Sequence, residues 1–401
     1  MIKENMKTIR TIAAVCLPCL FLFLACQSDA GKPERGAAPA PLPPSASRPE
    51  LFLYAVTVDN LRLREEPNLA AGVKSQLREG IIVESNGEMS SNQDEVDLRG
   101  ISIKAPYYRV TAPAAGWAFG GALIQLYAGS RTAAPDRQTL AALAGFLKGL
   151  NVKTLESGGK AWAYAEQHFS NANGSLADAA FVLLEQFFQR MEREGSFYTM
   201  TEKVNWSDQD MNAIYEDKFD PGSKPVTKSL AANGFRIVTA EGTVFPIVDC
   251  RKFQAFFAPK TTPGMAAYIN QRTSEQNNPM FSDGGVIIPL QEVADQAAFW
   301  EKFNAGNPWF PLREETKHSE EWLRLVLVNG SDNTPAFSYE TDDIDGEFKN
   351  VWAYIQQKYP GTELGKTVKQ MAGLCAAENW KRTKKVEEFQ MEVAKRFQEA
   401  E

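Results

Sequence analysis

Four patterns of apolar and polar positions succeed one another along the chain. Thr11 to Ala25 is an unbroken apolar run of about 15 residues behind Lys3, Lys7 and Arg10. That is the length of a signal-peptide core, because a membrane-spanning helix wants roughly 20. Gln27 to Glu50 then loses all periodicity and carries Pro33, Pro39, Pro41, Pro43, Pro44 and Pro49 among Ala, Ser and Gly. Such a segment buries too little apolar surface to offset its ordering entropy, and its prolines keep it extended. At about 3.1 Å per residue it reaches on the order of 70 Å.

From Leu51 the period becomes two. Ala55 to Arg64 alternates apolar with polar and breaks at Glu65-Glu66-Pro67-Asn68, a turn signal. Leu77, Gly80, Ile82 and Val83 read as a turn and a second strand, Tyr107 to Val110 as a third and Gly116 to Phe119 as a fourth, with Leu123 closing. Short strands punctuated by Gly and Pro predict a small β-barrel over residues 51–128. The stretch from Gly87 to Pro106, rich in Ser, Asn, Asp and Glu, reads as a long surface loop. On the third strand Tyr107 and Tyr108 point to opposite faces, so one belongs in the core and the other is a candidate ligand contact. Trp117 is expected in the core with Leu61, Leu63 and Val110, and a fragment from about Pro49 to Gly129 is expected to fold alone.

Beyond Tyr127 apolar residues recur at three and four. Leu140, Leu143 and Leu147 mark a helix started by Pro135 and Asp136, and Ser175 is expected to cap a second whose stripe runs from Leu176 to Met191, with Gly195 as its stop. Phe235 to Thr239 and Thr243 to Val248 form a hairpin around Ala240-Glu241-Gly242. Helices resume near Arg251, Gly264, Gln291, Ser319 and Asp345, and the last carries Val386, Phe389, Val393 and Phe397 on one face. The chain therefore reads as a multidomain α+β protein. A signal segment (1–25) and a tether (26–50) precede a small barrel (51–128). A mainly α-helical region (129–401) follows, with a sub-boundary near 234.

The formal charge of −7, with no basic block, leaves no electrostatic footprint for nucleic acid. Of the five cysteines, Cys16 and Cys19 fall in the apolar run and Cys26 ends it, so Cys250 and Cys375 are the one pair open to a disulfide. With His168 and His318 the only histidines, and no Cys or His at ligand spacing, no metal or other cofactor is expected. Asp249-Cys250 invites a cysteine-nucleophile reading, but no histidine stands in a sequence context suited to a base. Thr341 to Gly346 half-matches a calcium loop and has Trp352 where the twelfth-position carboxylate belongs, so Asp345 reads as a helix cap. Paired carboxylates for glycoside hydrolysis stay open, since spacing in space is invisible in a sequence.

Two resemblances add to this. Phe23-Leu24-Ala25-Cys26 resembles the lipobox of bacterial lipoproteins, with Phe23 and Leu24 departing from the commonest pattern. It implies acyl chains on Cys26 and an extracytoplasmic, membrane-anchored protein. Leu61-Arg62-Leu63-Arg64-Glu65-Glu66-Pro67, then Val73 to Gly80, then Tyr107 to Val110, then Gly116-Trp117-Ala118 resemble, in order, the motifs of the bacterial SH3 (SH3b) domain. That family implies binding of peptidoglycan or an envelope protein. SH3b domains also precede NlpC/P60 cysteine peptidases, but Arg251-Lys252-Phe253 replaces the Ser-Gly continuation. The region beyond residue 129 resembles no characterised family. The favoured expectation is a non-enzymatic envelope lipoprotein, and the alternative is a wall hydrolase, either a cysteine peptidase or a carboxylate glycosidase. Cys26→Ala is expected to abolish acyl-label incorporation and detergent partitioning, and unchanged labelling would remove the lipoprotein expectation.

Overall fold

A computed structural model describes residues 48–400, so the signal segment, Cys26 and most of the tether lie outside the described residues. The chain enters as β1 (Leu51–Val56), β2 (Leu61–Arg64), β3 (Val73–Leu77), β4 (Ile82–Leu98), β5 (Ile101–Ala112), β6 (Gly116–Phe119) and β7 (Leu123–Gly129). These form one antiparallel sheet in the order β3-β2-β6-β5-β4-β1-β7. The rest is mixed, chiefly helical, so the α+β class holds.

The stretch from Gly87 to Pro106 is not a loop. It is most of a long β4–β5 hairpin, paired from Gln93↔Pro106 to Leu98↔Ile101. Arg99 (φ 56°) and Gly100 (φ 79°) make its two-residue turn, the left-handed pair that matches the twist of a hairpin. Val96, Leu98 and Ile103 pack against the sheet's core while the alternate positions face water, which is why the segment reads as polar.

The decisive strand is β1. All six residues of Leu51-Phe52-Leu53-Tyr54-Ala55-Val56 are buried. Phe52, Tyr54 and Val56 enter the sheet's own core with Leu61, Leu63 and Val110. Leu51, Leu53 and Ala55, with Ile82 of β4 and Leu126 of β7, enter the core of the helices. The sheet and the helical region thus share a core.

The helical region opens with α1 (Arg137–Lys148), α2 (Glu156–Phe169), α3 (Gly174–Glu194), α4 (Tyr198–Glu202), α5 (Asp208–Tyr215) and α6 (Pro225–Ala232). The hairpin β8 (Phe235–Ala240) and β9 (Thr243–Val248) follows, then α7 (Cys250–Phe257) and α8 (Pro263–Asn277). Two minimal hairpins, β10 (Phe281–Ser282) with β11 (Gly285–Val286) and β12 (Gly330–Ser331) with β13 (Thr334–Pro335), punctuate the rest. That remainder holds α9 (Leu290–Gly306), α10 (Arg313–Asn329), α11 (Gly346–Lys358), α12 (Glu363–Ala377) and α13 (Lys384–Ala400).

α3 is the central helix, touching α1, α2, α7 and β7. Phe181 and Phe188 on its buried stripe meet Phe253 and Phe257 of α7 edge-on, at ring distances of 5.5 to 5.8 Å. Asp136 caps α1, its carboxylate accepting from the Thr139 N–H. Gly195 ends α3, but Asn173 rather than Ser175 stands at its N-cap, because the Ser175 hydroxyl donates to the Ala133 carbonyl instead. α10 begins at Arg313, six residues ahead of the expected Ser319. The last helix docks, with Val386, Val393 and Phe397 buried.

The shared core predicts one cooperative unit. Leu53→Ala, at a fully buried position, should cost about 2–5 kcal/mol. Helical signal at 222 nm and near-ultraviolet aromatic signal should fall at a common, lowered midpoint. A helical transition left at the wild-type temperature would contradict this. The same face makes the fragment 49–129 expose Leu51, Leu53, Ala55, Ile82 and Leu126, so it is not expected to remain soluble and folded alone.

Candidate functional site

Four aromatic rings run in a row, with Phe52 and Tyr54 buried in the sheet's core and Tyr108 and Trp309 flanking them. Tyr108 of β5 lies over Tyr54 of β1 at 5.2 Å, Tyr54 stacks with Phe52 at 6.4 Å, and Phe52 meets the edge of Trp309 at 5.7 Å. Strand alternation sends Phe52 and Tyr54 to the same face of β1. Trp309 comes from the connection between α9 and α10, which Gln125 of β7 holds by donating its side-chain N–H to the Trp309 carbonyl at 2.7 Å. Two glycines make the close fit possible. A Cβ on Gly87 would collide with the Phe52 ring, and one on Gly120 would lie 2.7 Å from the Tyr108 ring. The row is open at both ends, where Trp309 is 39% exposed and Met89, the ladder partner of Tyr108, is 56% exposed.

The chemistry of the row is protic and uncharged, with one acid beside it. Burial, and then Tyr108, push the Tyr54 hydroxyl far above its ordinary range. Burial, and then Glu314 at the start of α10, push Tyr108 up. Both hydroxyls stay protonated at neutral pH. Neither they nor the Trp309 indole N–H hydrogen-bonds to any of the described residues.

The two tyrosines divide as strand geometry requires. Tyr107 is 1% exposed, its ring against Phe119 at 5.8 Å and its hydroxyl donating to Asp94 at 2.8 Å. It is a core residue and no ligand contact, whereas Tyr108 is half-buried at the seam. Trp117 is not the core residue expected. Alternation puts it on the face opposite Ala118, level with its ladder partners Arg64 and Arg109, and the Arg109 guanidinium lies 5.6 Å over its half-buried ring.

No disulfide joins Cys250 to Cys375. Cys375 is a thiol deep in α12, pushed up to about 11 by burial. Cys250 opens α7 with its N–H on Gln276, and the preceding Asp249 is committed to capping that helix and to Arg251. His168 packs on Tyr164 in α2 and His318 on Phe397 of α13, so the two histidines serve other helices. In the half-matched calcium loop, Asp342 pairs with Arg382, Asp343 pairs with Lys381, and Asp345 caps α11. An open cleft of about 380 Å³ lies beside that cap, lined by Ser338, Asp343, Asp345 and Glu347 among others. Among the described residues no group of three His, Cys, Asp or Glu side chains is placed to hold a metal.

The fold also joins two carboxyl groups 130 residues apart. Glu185 of α3 and Glu315 of α10 both meet the Tyr268 hydroxyl of α8, at 3.3 and 3.0 Å. A phenol has one proton to donate, so the second carboxyl must bring its own. Burial, and then Glu315, raise the Glu185 carboxyl well above the usual range; burial raises Glu315, while Arg272 opposes both shifts. One oxygen of Glu185 is sealed from solvent without a hydrogen-bond partner, which suits a neutral carboxyl. Nearby Glu192 accepts from the Val248 N–H at 3.1 Å and is pushed up to about 7 by burial. These groups bind protons that the unfolded chain would release. Nothing on the sequence marked them, nor Phe52, Tyr54 and Trp309, although the unbroken apolar run from Leu51 to Val56 was a usable sign of a strand buried on both faces.

Compared with known proteins, the chain matches no family model, no curated protein and no solved structure.

The raised carboxyls fix the sign of a pH dependence. A folded value near 7 against an ordinary 4.5 means stability is fully present below about 4.5 and is lost as pH rises through 7. For Glu192 the loss over that window is about 3 kcal/mol. Tm should fall between pH 5 and 8, and Glu192→Gln, which keeps the acceptor for Val248, should flatten the decline. A profile identical in the variant would contradict the assignment.

Proposed function

We propose that the protein is a lipid-anchored, extracytoplasmic envelope protein that binds peptidoglycan or another envelope protein and does not hydrolyse it. In this reading β1–β7 are an SH3b-like barrel. Acyl chains on Cys26 supply the anchor; more than one is needed, since a single chain holds only marginally. The tether lifts the folded part on the order of 70 Å from the bilayer.

What supports the barrel is the order of the resembling motifs together with their place in one antiparallel sheet. The opening motif falls on β2 and its turn, the second on β3, the aromatic pair on β5 and the Gly-Trp motif on β6. The observation that carries the binding role is the aromatic row open at Trp309 and Met89. Trp309 and Met89 present apolar surface to solvent at the two ends of that row, with Tyr108 half-buried and Phe52 and Tyr54 buried between them. The acidic net charge and Glu314 beside Tyr108 keep nucleic acid out of the reading.

The test is sedimentation of the full chain, in detergent, with purified sacculi, run beside a zymogram. The chain should pellet without clearing the wall. Tyr108→Ala should lower the pelleted fraction several-fold while retaining a cooperative melt. A cleared band would favour the hydrolase alternative, and a chain that stays in the supernatant would remove the wall as ligand.

A further inference from the structure

We propose that Glu185, Tyr268 and Glu315 form a proton-operated clasp. It holds the start of α10 against α3 and α8 while the two carboxyls keep a proton between them. When that proton leaves, the start of α10 and the connection before it loosen locally in a molecule that is otherwise folded. The device is independent of what the molecule binds.

The geometry sets the proton count. The Tyr268 hydroxyl lies 3.3 Å from Glu185 and 3.0 Å from Glu315, and its one proton serves one of them. Glu315 is the better acceptor, because Gln186 donates to its other oxygen at 3.2 Å and Gln189 adds a further hydrogen bond. Glu185 then donates a proton of its own to Tyr268 Oη. Its second oxygen is sealed from solvent and has no donor to support a charge. Without that proton, two carboxylates face one phenol in a buried site, and they repel.

The surroundings do not relieve that repulsion in place. Arg272 of α8 faces both carboxyls, but it also serves Glu192 of α3 and pairs with Glu275 of α8 at 3.4 Å. One guanidinium therefore meets four carboxyl groups. α9 presents the Trp300 indole, whose N–H is already spent on Glu275 at 2.8 Å. A second buried charge with no partner of its own is costly, and moving apart lets it reach water.

The segment that loosens has definite ends. Glu315 stands in the first turn of α10, just after the buried Phe310 and Leu312, and the Phe310 ring packs on Tyr268 at 5.3 Å. Unseating Glu315 thus frees Phe310 and the connection that carries Trp309. On the far side, the Thr316 hydroxyl is bonded to Asn304 of α9 at 2.6 Å, which marks where the loosening stops. The amides of Phe310, Arg313 and Thr316 report on it, since each is hydrogen-bonded within the segment.

The sign follows from proton linkage. The closed clasp holds a proton that the open segment, with its carboxyl back at an ordinary 4.5, gives up. Opening is therefore least favoured below about pH 4.5 and grows about tenfold per pH unit above it, until the closed clasp itself titrates.

The experiment is native-state hydrogen exchange on the full chain in detergent, from about pH 5.5 to about pH 8, with rates corrected for the chemistry of exchange. Protection at Phe310, Arg313 and Thr316 should fall about tenfold per pH unit. Leu53 and Tyr54 of β1, which report global unfolding, should stay more protected throughout. Glu185→Gln keeps the shape and can donate to Tyr268 at every pH, so it should remove the pH dependence. Glu315→Gln, which takes the charge away from beside Glu185, should flatten it as well and serves if the first variant does not fold. Three results overturn the clasp: protection independent of pH in the wild type, the wild-type slope in both variants, or exchange of these amides only together with β1.

Discussion

Leu51, Leu53 and Ala55 press into the helices while Phe52, Tyr54 and Val56 press into the sheet, so one six-residue strand is common to two cores. Each large apolar side chain so buried is worth about 1.5–3 kcal/mol, against a total of about 5–15 kcal/mol for a whole domain. Losing β1 from either side therefore removes a large share of the molecule's net stability. The neighbours follow from it: β4 and β7 pair along its two edges, and α3 lies on β7. An SH3b-like module would here be one wall of a larger body, not a bead on a string.

The same strand sets the aromatic row. Its even-numbered residues give two of the four rings, and its odd-numbered residues tie those rings to the lobe that carries Trp309. The proton-holding carboxyls act elsewhere in the same body, where Tyr268 links α3, α8 and α10 through Glu185 and Glu315. Burying such groups costs stability as pH rises, and nothing in the seam's geometry requires them.

Much of the fold was legible in local pattern. The strands over Leu61–Arg64, Tyr107–Val110 and Gly116–Phe119, the Asp136 and Asp345 caps, the Gly195 stop and the docking face of α13 all rest on short-range rules, and each appears in the structure. The misreadings share a cause, which is that burial is decided by what packs on the far side. Leu51–Val56 has no polar phase to count, so its two-faced burial was passed over. The β4–β5 hairpin looked like a loop because its outward face is polar and its cues, Val96, Leu98 and Ile103, are few. Arg313-Glu314-Glu315 hid the first turn of α10 behind charge. Strand alternation alone puts Trp117 in the core, whereas it packs only partly buried against it, level with its ladder neighbours Arg64 and Arg109. The candidate site was half visible: the Tyr107–Tyr108 split follows from alternation, but Trp309 meets Phe52 across more than 250 residues of chain, and no local rule reaches that far.

β1 belongs to both cores, and native-state hydrogen exchange measures that directly. The amides of residues 51–56 should exchange only through global unfolding, with the same free energy of opening as the buried turns of α3, because their ladders to β4 and β7 cannot open while the helices stay packed. Exchange of β1 with the rest of the sheet in a cheaper opening, while α3 remains protected, would show two separable domains and contradict the shared core.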